Sequence, residues 1–180
     1  MSYFQKIKGE RLYLSPVNPA DLEQYTAWIN DVGVSDNLGV SAMVYSLERE
    51  KAALDDMVKS GYNFAVVLRE DDRLIGNCSL FELNQVNRRA SCGLFIGNPD
   101  DRGKGFGSEA LRLLLGYAFD TLNLNNVMLG VFEFNAGAVR CYEKVGFKRI
   151  GERRYSYFAR GKYHNEIFMD IIREDFTTNA

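Results

Sequence analysis

The order of elements in this sequence predicts an α+β domain, and three observations carry the prediction. Apolar residues recur at helical spacing in two early segments, three short strands then follow one another with tight turns between them, and the chain closes on a long hairpin. At 180 residues with 46% of them apolar, residues 1–180 form a single domain able to bury a core. No linker, repeat or low-complexity stretch divides them.

Each element has its own local reason. Residues 11–15 alternate as a strand, and Pro16 and Pro19 turn the chain toward a helix capped by Asn18, with Asp21 in its first turn. Leu22, Tyr25, Trp28 and Ile29 recur at helical spacing, whereas residues 30–45 read as a polar, irregular loop containing Gly33 and Gly39. Ser46 caps a second helix, with Glu48 in its first turn and Arg49 where a capping-box acid would sit. Leu47, Leu54, Met57 and Val58 form its apolar side, and Gly61 ends it as a C-cap. Residues 64–69 and 73–83 flank the acidic turn Glu70-Asp71-Asp72, and residues 89–97 return beside them as an antiparallel meander. Leu111, Leu114, Leu115, Ala118 and Phe119 mark one face of a helix. Residues 127–134 are a strand, 136–145 a short helix, and 148–158 with 162–172 a hairpin around Arg160-Gly161.

The segment between the third meander strand and the next helix carries the chemistry. Residues 96–110 pass from an apolar strand through a glycine-dense turn straight into an amphipathic helix, which leaves backbone N–H groups free beside the positive end of a helix dipole. Gly103, Gly105 and Gly107, at alternate positions, let an anion approach the backbone because no Cβ intervenes. Two familiar phosphate motifs fail here. A P-loop has four residues between its first glycine and Gly-Lys, followed by Ser or Thr; here five residues separate Gly97 from Gly103-Lys104, and Gly105 follows. A dinucleotide fingerprint would need glycine at Ser108 or Ala110, and no βαβ unit opens the chain.

Composition narrows the classes of function. A formal charge of −2 argues against broad nucleic-acid binding, which needs a basic face. Residues 1–6 show no basic n-region before an apolar run, and no apolar stretch approaches the ~20 residues of a membrane span, so the expected location is cytoplasmic. Cys78, Cys92 and Cys141 are widely spaced with no C-x-x-C pair, which suggests neither a disulfide framework nor a metal site.

Arg102, Gly105 and Gly107 do fit R-x-x-G-x-G, and Asn135-Ala136-Gly137-Ala138-Val139-Arg140-Cys141-Tyr142-Glu143-Lys144-Val145-Gly146-Phe147 fits N-x-x-A-x-x-x-Y-E-K-x-G-F. With both motifs in this order, the chain resembles the GNAT superfamily of acetyl-CoA-dependent N-acetyltransferases, in particular the branch containing ribosomal-protein and polyamine acetyltransferases. The resemblance implies a mixed, mostly antiparallel central sheet, splayed at the cofactor site, with helices on both faces. It implies acetyl-CoA as cosubstrate, with N–H groups from Arg102 through Gly103, Lys104, Gly105, Phe106 and Gly107 to Ser108 around the pyrophosphate. Leu94, Phe95 and Ile96 would pair with the pantetheine arm, and Asn135 and Lys144 would complete the coenzyme site. Gly93 would suit a bulge at the splay. The implied reaction is direct attack of an amine on the thioester without a metal, with Tyr142 donating a proton to the departing thiolate. A non-catalytic acyl-CoA-binding module is the alternative.

One departure from the family pattern bears on the base. Where many relatives carry a strand Glu, this chain reads Ala90-Ser91-Cys92-Gly93, and a serine is no base at neutral pH. Glu133 is the substitute the sequence offers, since alternation sets it on one face with Leu129 and Val131; Glu82 and Glu166 stand behind it. His164 is the single histidine and reads more simply as a hydrogen-bonded residue. Trp28 and the 30–45 loop would border the acceptor, with Asp31 and Asp36 favouring a cation. Tyr155, Tyr157, Phe158 and Tyr163 suit an acceptor wall, a core or a homodimer interface alike. A small-molecule amine or a protein N-terminus remains open as the acceptor.

Overall fold

Strands form wherever short alternating or apolar runs lie between turn residues, and eight of them assemble over residues 3–176, the part of the chain that the computed structural model describes. They are β1 (Ile7–Lys8), β2 (Leu12–Pro16), β3 (Asn63–Leu68), β4 (Leu74–Asn84), β5 (Arg89–Ile96), β6 (Asn126–Phe132), β7 (Lys148–Ala159) and β8 (Lys162–Ile172). They make one sheet in the order β1-β2-β3-β4-β5-β6-β8-β7. Every neighbouring pair is antiparallel except β5 and β6. Of residues 1–6, where the basic region of a leader would stand, Met1 and Ser2 lie outside the described residues.

The helices are α1 (Leu22–Asn30), α2 (Val32–Leu38), α3 (Leu47–Ser60), α4 (Phe106–Gly116) and α5 (Ala136–Val145). Alternation along the strands divides the core into two layers. Leu12, Val66, Leu129, Val131 and Met169 meet α4 and α5 on one face, while Tyr13, Val67 and Leu74 meet Tyr25, Trp28, Val34 and Leu54 on the other. Local signals set the helix ends. Asn18 accepts from Ala20 N–H at 3.0 Å to open a 3-10 turn ahead of α1, Ser46 accepts from Arg49 N–H at 3.2 Å, and Gly61 closes α3 at φ 74°.

The splay is where expected. Parallel pairing of β5 with β6 covers only Arg89–Ser91 against Asn126–Met128. Beyond that point β5 continues beside β4 alone and β6 beside β8 alone, which leaves a wedge between them.

Two expectations need correction. Residues 32–38 are not irregular but form α2, whose seven residues are too few to show a periodic stripe. Tertiary contacts hold it: Asp36, 4% exposed at its side chain, pairs with Arg160 of the β7–β8 turn at 2.7 Å, and Gly39 caps it at φ 74°. Gly93 is not a bulge. The β4–β5 register runs through it unbroken, and the irregularity lies at Phe81/Asn84, where Glu82 takes a φ of 52°.

Candidate functional site

The glycine turn is built to hold N–H groups open. After a 3-10 turn over Pro99–Asp101, Gly103 and Gly105 adopt left-handed conformations at φ 74° and 85°, which only glycine takes at little steric expense. The first α4 hydrogen bond runs from Glu109 N–H to the Gly105 carbonyl at 3.1 Å. The N–H groups of Phe106, Gly107 and Ser108 therefore lack intrahelical acceptors, at the positive end of the helix. A Cβ on Gly107 would lie 3.5 Å from Leu94 Cδ2 and 3.7 Å from Cys141 Sγ, so this glycine keeps the floor low between β5 and α5.

Side chains that no sequence motif identifies anchor both ends of the turn. Arg11 donates to Glu109 from its backbone and its Nε, each at 2.8 Å, donates to the Lys104 carbonyl at 2.9 Å, and lies over the Phe106 ring. Arg73 grips Asp101 with both guanidinium ends, at 2.7 and 3.0 Å. These hydrogen bonds hold the buried Asp101 carboxyl below the usual carboxylate range.

Arg102 has a different task from the one expected. Its N–H is already bonded to the Pro99 carbonyl at 3.0 Å. Its guanidinium donates to the carbonyls of Ile96 at 3.0 Å and Gly97 at 2.7 Å, and reaches the Gly33 carbonyl of α2 at 3.5 Å. It fastens the turn to β5 and α2, and the open N–H groups begin at Gly103.

The wedge and the turn open into one cleft of about 580 Å³. Of the residues expected there, Leu94, Phe95, Ile96, Arg102, Gly103, Gly105, Gly107, Ser108, Asn135, Tyr142 and Lys144 line it. Lys104 and Phe106 do not. Residues of α2 between Gly33 and Leu38 line it too, in the segment expected to border the acceptor though not as a helix, and the wall that sequence reasoning missed is Gly130 of β6. The edge of β5 that faces β6 has no strand beside it past Ser91, and apart from the Ile96 carbonyl, which accepts from Arg102, its backbone groups are open to an extended amide-bearing chain. Asn135 caps α5 through its side-chain oxygen, which accepts Ala138 N–H at 3.1 Å and leaves the amide NH₂ for the cleft.

Residues 11–148 match the family described as "Acetyltransferase (GNAT) domain". The chain belongs to the GNAT acetyltransferase family. It is 30% identical to "Probable N-acetyltransferase YjcK" of Bacillus subtilis (strain 168), over 94% of this chain and 98% of that one. It is 36% identical over 110 residues to the spermidine N(1)-acetyltransferase of Escherichia coli (strain K12), covering 61% of this chain and 59% of that protein. Among solved structures, the spermidine N-acetyltransferase from Vibrio cholerae in complex with CoA and spermine superposes with a TM-score of 0.84 at 25% identity, over 93% of this chain and 98% of the other. The protein is thus an acetyl-CoA-dependent N-acetyltransferase.

In this acetyltransferase Tyr142 projects from α5 into the cleft wall, 8% exposed. Its hydroxyl makes no hydrogen bond among the described residues. Burial pushes its pKa up, which keeps the phenol protonated. Cys141 beside it shares a 3.2 Å contact with Ser108 Oγ, and burial raises its thiol pKa too.

Glu133 does not line the cleft. The alternation with Leu129 and Val131 carries it past the end of β6 to a separate depression with Arg140, Glu143 and Arg149, where it lies 3.5 Å from His164 Nδ1. His164 is buried against the edge of Phe134. Ser91, in the place of the family's Glu, donates to Glu82 at 2.7 Å, and the positive φ at the β4 bulge brings that carboxylate over.

The acceptor-side expectations sort similarly. Trp28 is core: its indole occupies the space a Cβ on Gly97 would need, and its Nε1 donates to Asn98 at 3.0 Å. Asp36 is consumed by Arg160, and Asp31 lies at the α1–α2 junction. Tyr157 stacks on Phe132 with centroids 4.2 Å apart and bonds Ser41, whereas Tyr155, Phe158 and Tyr163 face solvent.

Proposed function

We propose that this acetyltransferase moves the acetyl group of acetyl-CoA directly to a primary amine of polyamine type, with Tyr142 as proton donor to the departing thiolate. The observation that carries this reading is the hydroxyl of Tyr142, without a hydrogen-bond partner among the described residues, in the wall of a cleft whose other end is the glycine turn. The N–H groups from Gly103 to Ser108 would hold the coenzyme's pyrophosphate, and Leu94 to Ile96 its pantetheine arm. Cys141 is the nucleophile nearest to hand, but a thiol with a raised pKa holds little thiolate at neutral pH, which favours direct attack over a covalent enzyme intermediate. The relatives named for spermidine support a polyamine acceptor. Tyr142 and the family's activity together favour catalysis over a non-catalytic acyl-CoA-binding module.

The test is a free-thiol assay with acetyl-CoA against spermidine, an aminosugar nucleotide and a peptide with a free N-terminus. Spermidine should be acetylated fastest, and preference for the peptide would replace the polyamine reading. Tyr142→Phe keeps the ring and removes only the donor, so kcat should fall by ~10²-fold or more with acetyl-CoA affinity nearly intact. A loss smaller than threefold would reduce Tyr142 to a packing residue.

A further inference from the structure

A glycine stands on each side of the wedge where β5 and β6 part. Pairing stops at Ser91 and Met128, and the next residues on that face are Gly93 of β5 and Gly130 of β6. A Cβ on Gly93 would meet nothing closer than Phe81 Cε1 at 3.6 Å, an ordinary contact. On Gly130 it would meet Glu166 Oε1 at 2.5 Å, so the Glu166 carboxylate already fills the place of a side chain there. Gly130 itself lines the cleft. Glu166 comes from β8, where it sits opposite Phe132, two residues beyond Gly130.

Glu166 is half-buried, and among the described residues its carboxylate makes no hydrogen bond and no ion pair. The charged groups at neighbouring positions are engaged elsewhere or point to water. His164, two residues before it on β8, lies against Glu133, and Arg153, opposite on β7, is exposed. An unpaired carboxylate set against a residue that lines the cleft is placed to meet a cation arriving there. Glu82, the other acid near the wedge, is exposed and already accepts the Ser91 hydroxyl.

We infer that Glu166 receives the primary ammonium of the acceptor at Gly130 and takes its proton, the duty that Ser91 cannot perform. This rests on the acetyl transfer to an amine proposed above. One N–H proton passes to Glu166, and the freed lone pair forms the C–N bond at the thioester carbonyl. The C–S bond then breaks, the thiolate takes the Tyr142 proton, and the second N–H proton restores Tyr142. Glu166 releases its proton to water. A base on β8, covering a glycine of β6, replaces one carried on the strand beside the thioester.

The experiment measures acetylation of spermidine from pH 7 to pH 10 by wild type, Glu166→Gln, Gly130→Ala and Glu82→Gln, with acetyl-CoA affinity by calorimetry. Glu166→Gln should lose ~10²-fold or more in kcat/KM at pH 7 and recover toward wild type as the pH nears the amine's own pKa of ~10, with acetyl-CoA binding within twofold. Gly130→Ala keeps every carboxylate but displaces that of Glu166, the far end of a flexible side chain, and should reproduce the defect with the fold intact. Glu82→Gln should remain within threefold of wild type. A Glu166→Gln loss below threefold at pH 7, or one of equal size at every pH, overturns the assignment, as does a Glu82→Gln defect larger than that of Glu166→Gln. A wild type that binds acetyl-CoA yet releases no thiol with any amine overturns the proposed reaction itself.

Discussion

Burial decides the chemistry of single side chains in this cleft more than residue type does. Tyr142 and Cys141 are neighbours on α5, and desolvation raises both pKa values: this suits the phenol, which must hold a proton to donate it, and disarms the thiol, which would need to lose one. Cys78 and Cys92 lie deeper in the core, where burial pushes Cys92 up to about 12 and Cys78 up as well. Iodoacetamide should therefore alkylate Cys141 slowly and the other two only on unfolding. Because Cys141 lines the cleft, saturating acetyl-CoA should slow its modification further, as read by peptide mass mapping. Equal labelling with and without acetyl-CoA would mean that the coenzyme does not run along α5.

At the scale of elements, the glycine turn is a mobile type of backbone made rigid by its ends. Arg11 ties α4 to the start of β2, Arg73 ties the turn to β4, and Arg102 ties it to α2. Loss of Arg73 would leave a buried Asp101 carboxylate without its guanidinium. Because pairing with Arg73 lowers the folded-state pKa of Asp101, the stability it contributes is present above the ordinary Asp value of ~3.9 and is lost as pH falls through the lower folded value. Arg73→Ala should thus melt below wild type at pH 7, with the gap closing on acidification through that range. A constant gap across the thermal denaturation series would show that Asp101 does not need its partner.

For the whole molecule, the two parts of the sheet, β1 to β5 and β6 to β8, meet through only three residue pairs of parallel ladder. A ligand lying in the wedge touches both parts, so it stabilises the folded chain by mass action and by bridging them. Acetyl-CoA at ~100 times its Kd should contribute about 2.7 kcal/mol and raise Tm by roughly 5–10 °C for a domain of this size. ATP or NAD producing the same shift would show that the turn binds phosphate without discrimination. No helix among the described residues is long and apolar enough to cross a membrane.

Most elements were set by short-range patterns that the sequence states outright. Asn18, Ser46 and Gly61 mark helix ends because capping is settled within a few residues, and the glycines of the turn and the Asn135 to Phe147 motif locate the cleft for the same reason. Only the tertiary structure decided the rest. α2 has no stripe of its own and owes its helix to Asp36 meeting Arg160, 124 residues away. Arg102, read from its motif as a phosphate ligand, became a fastener because the carbonyls of Ile96 and Gly97 lie within its reach. Glu133 obeyed its strand alternation and still missed the cleft, since alternation assigns a face and not a distance along it. Glu166 came to lie against Gly130 because a glycine on the neighbouring strand left room, and which residues face each other across a sheet is settled by register between distant segments.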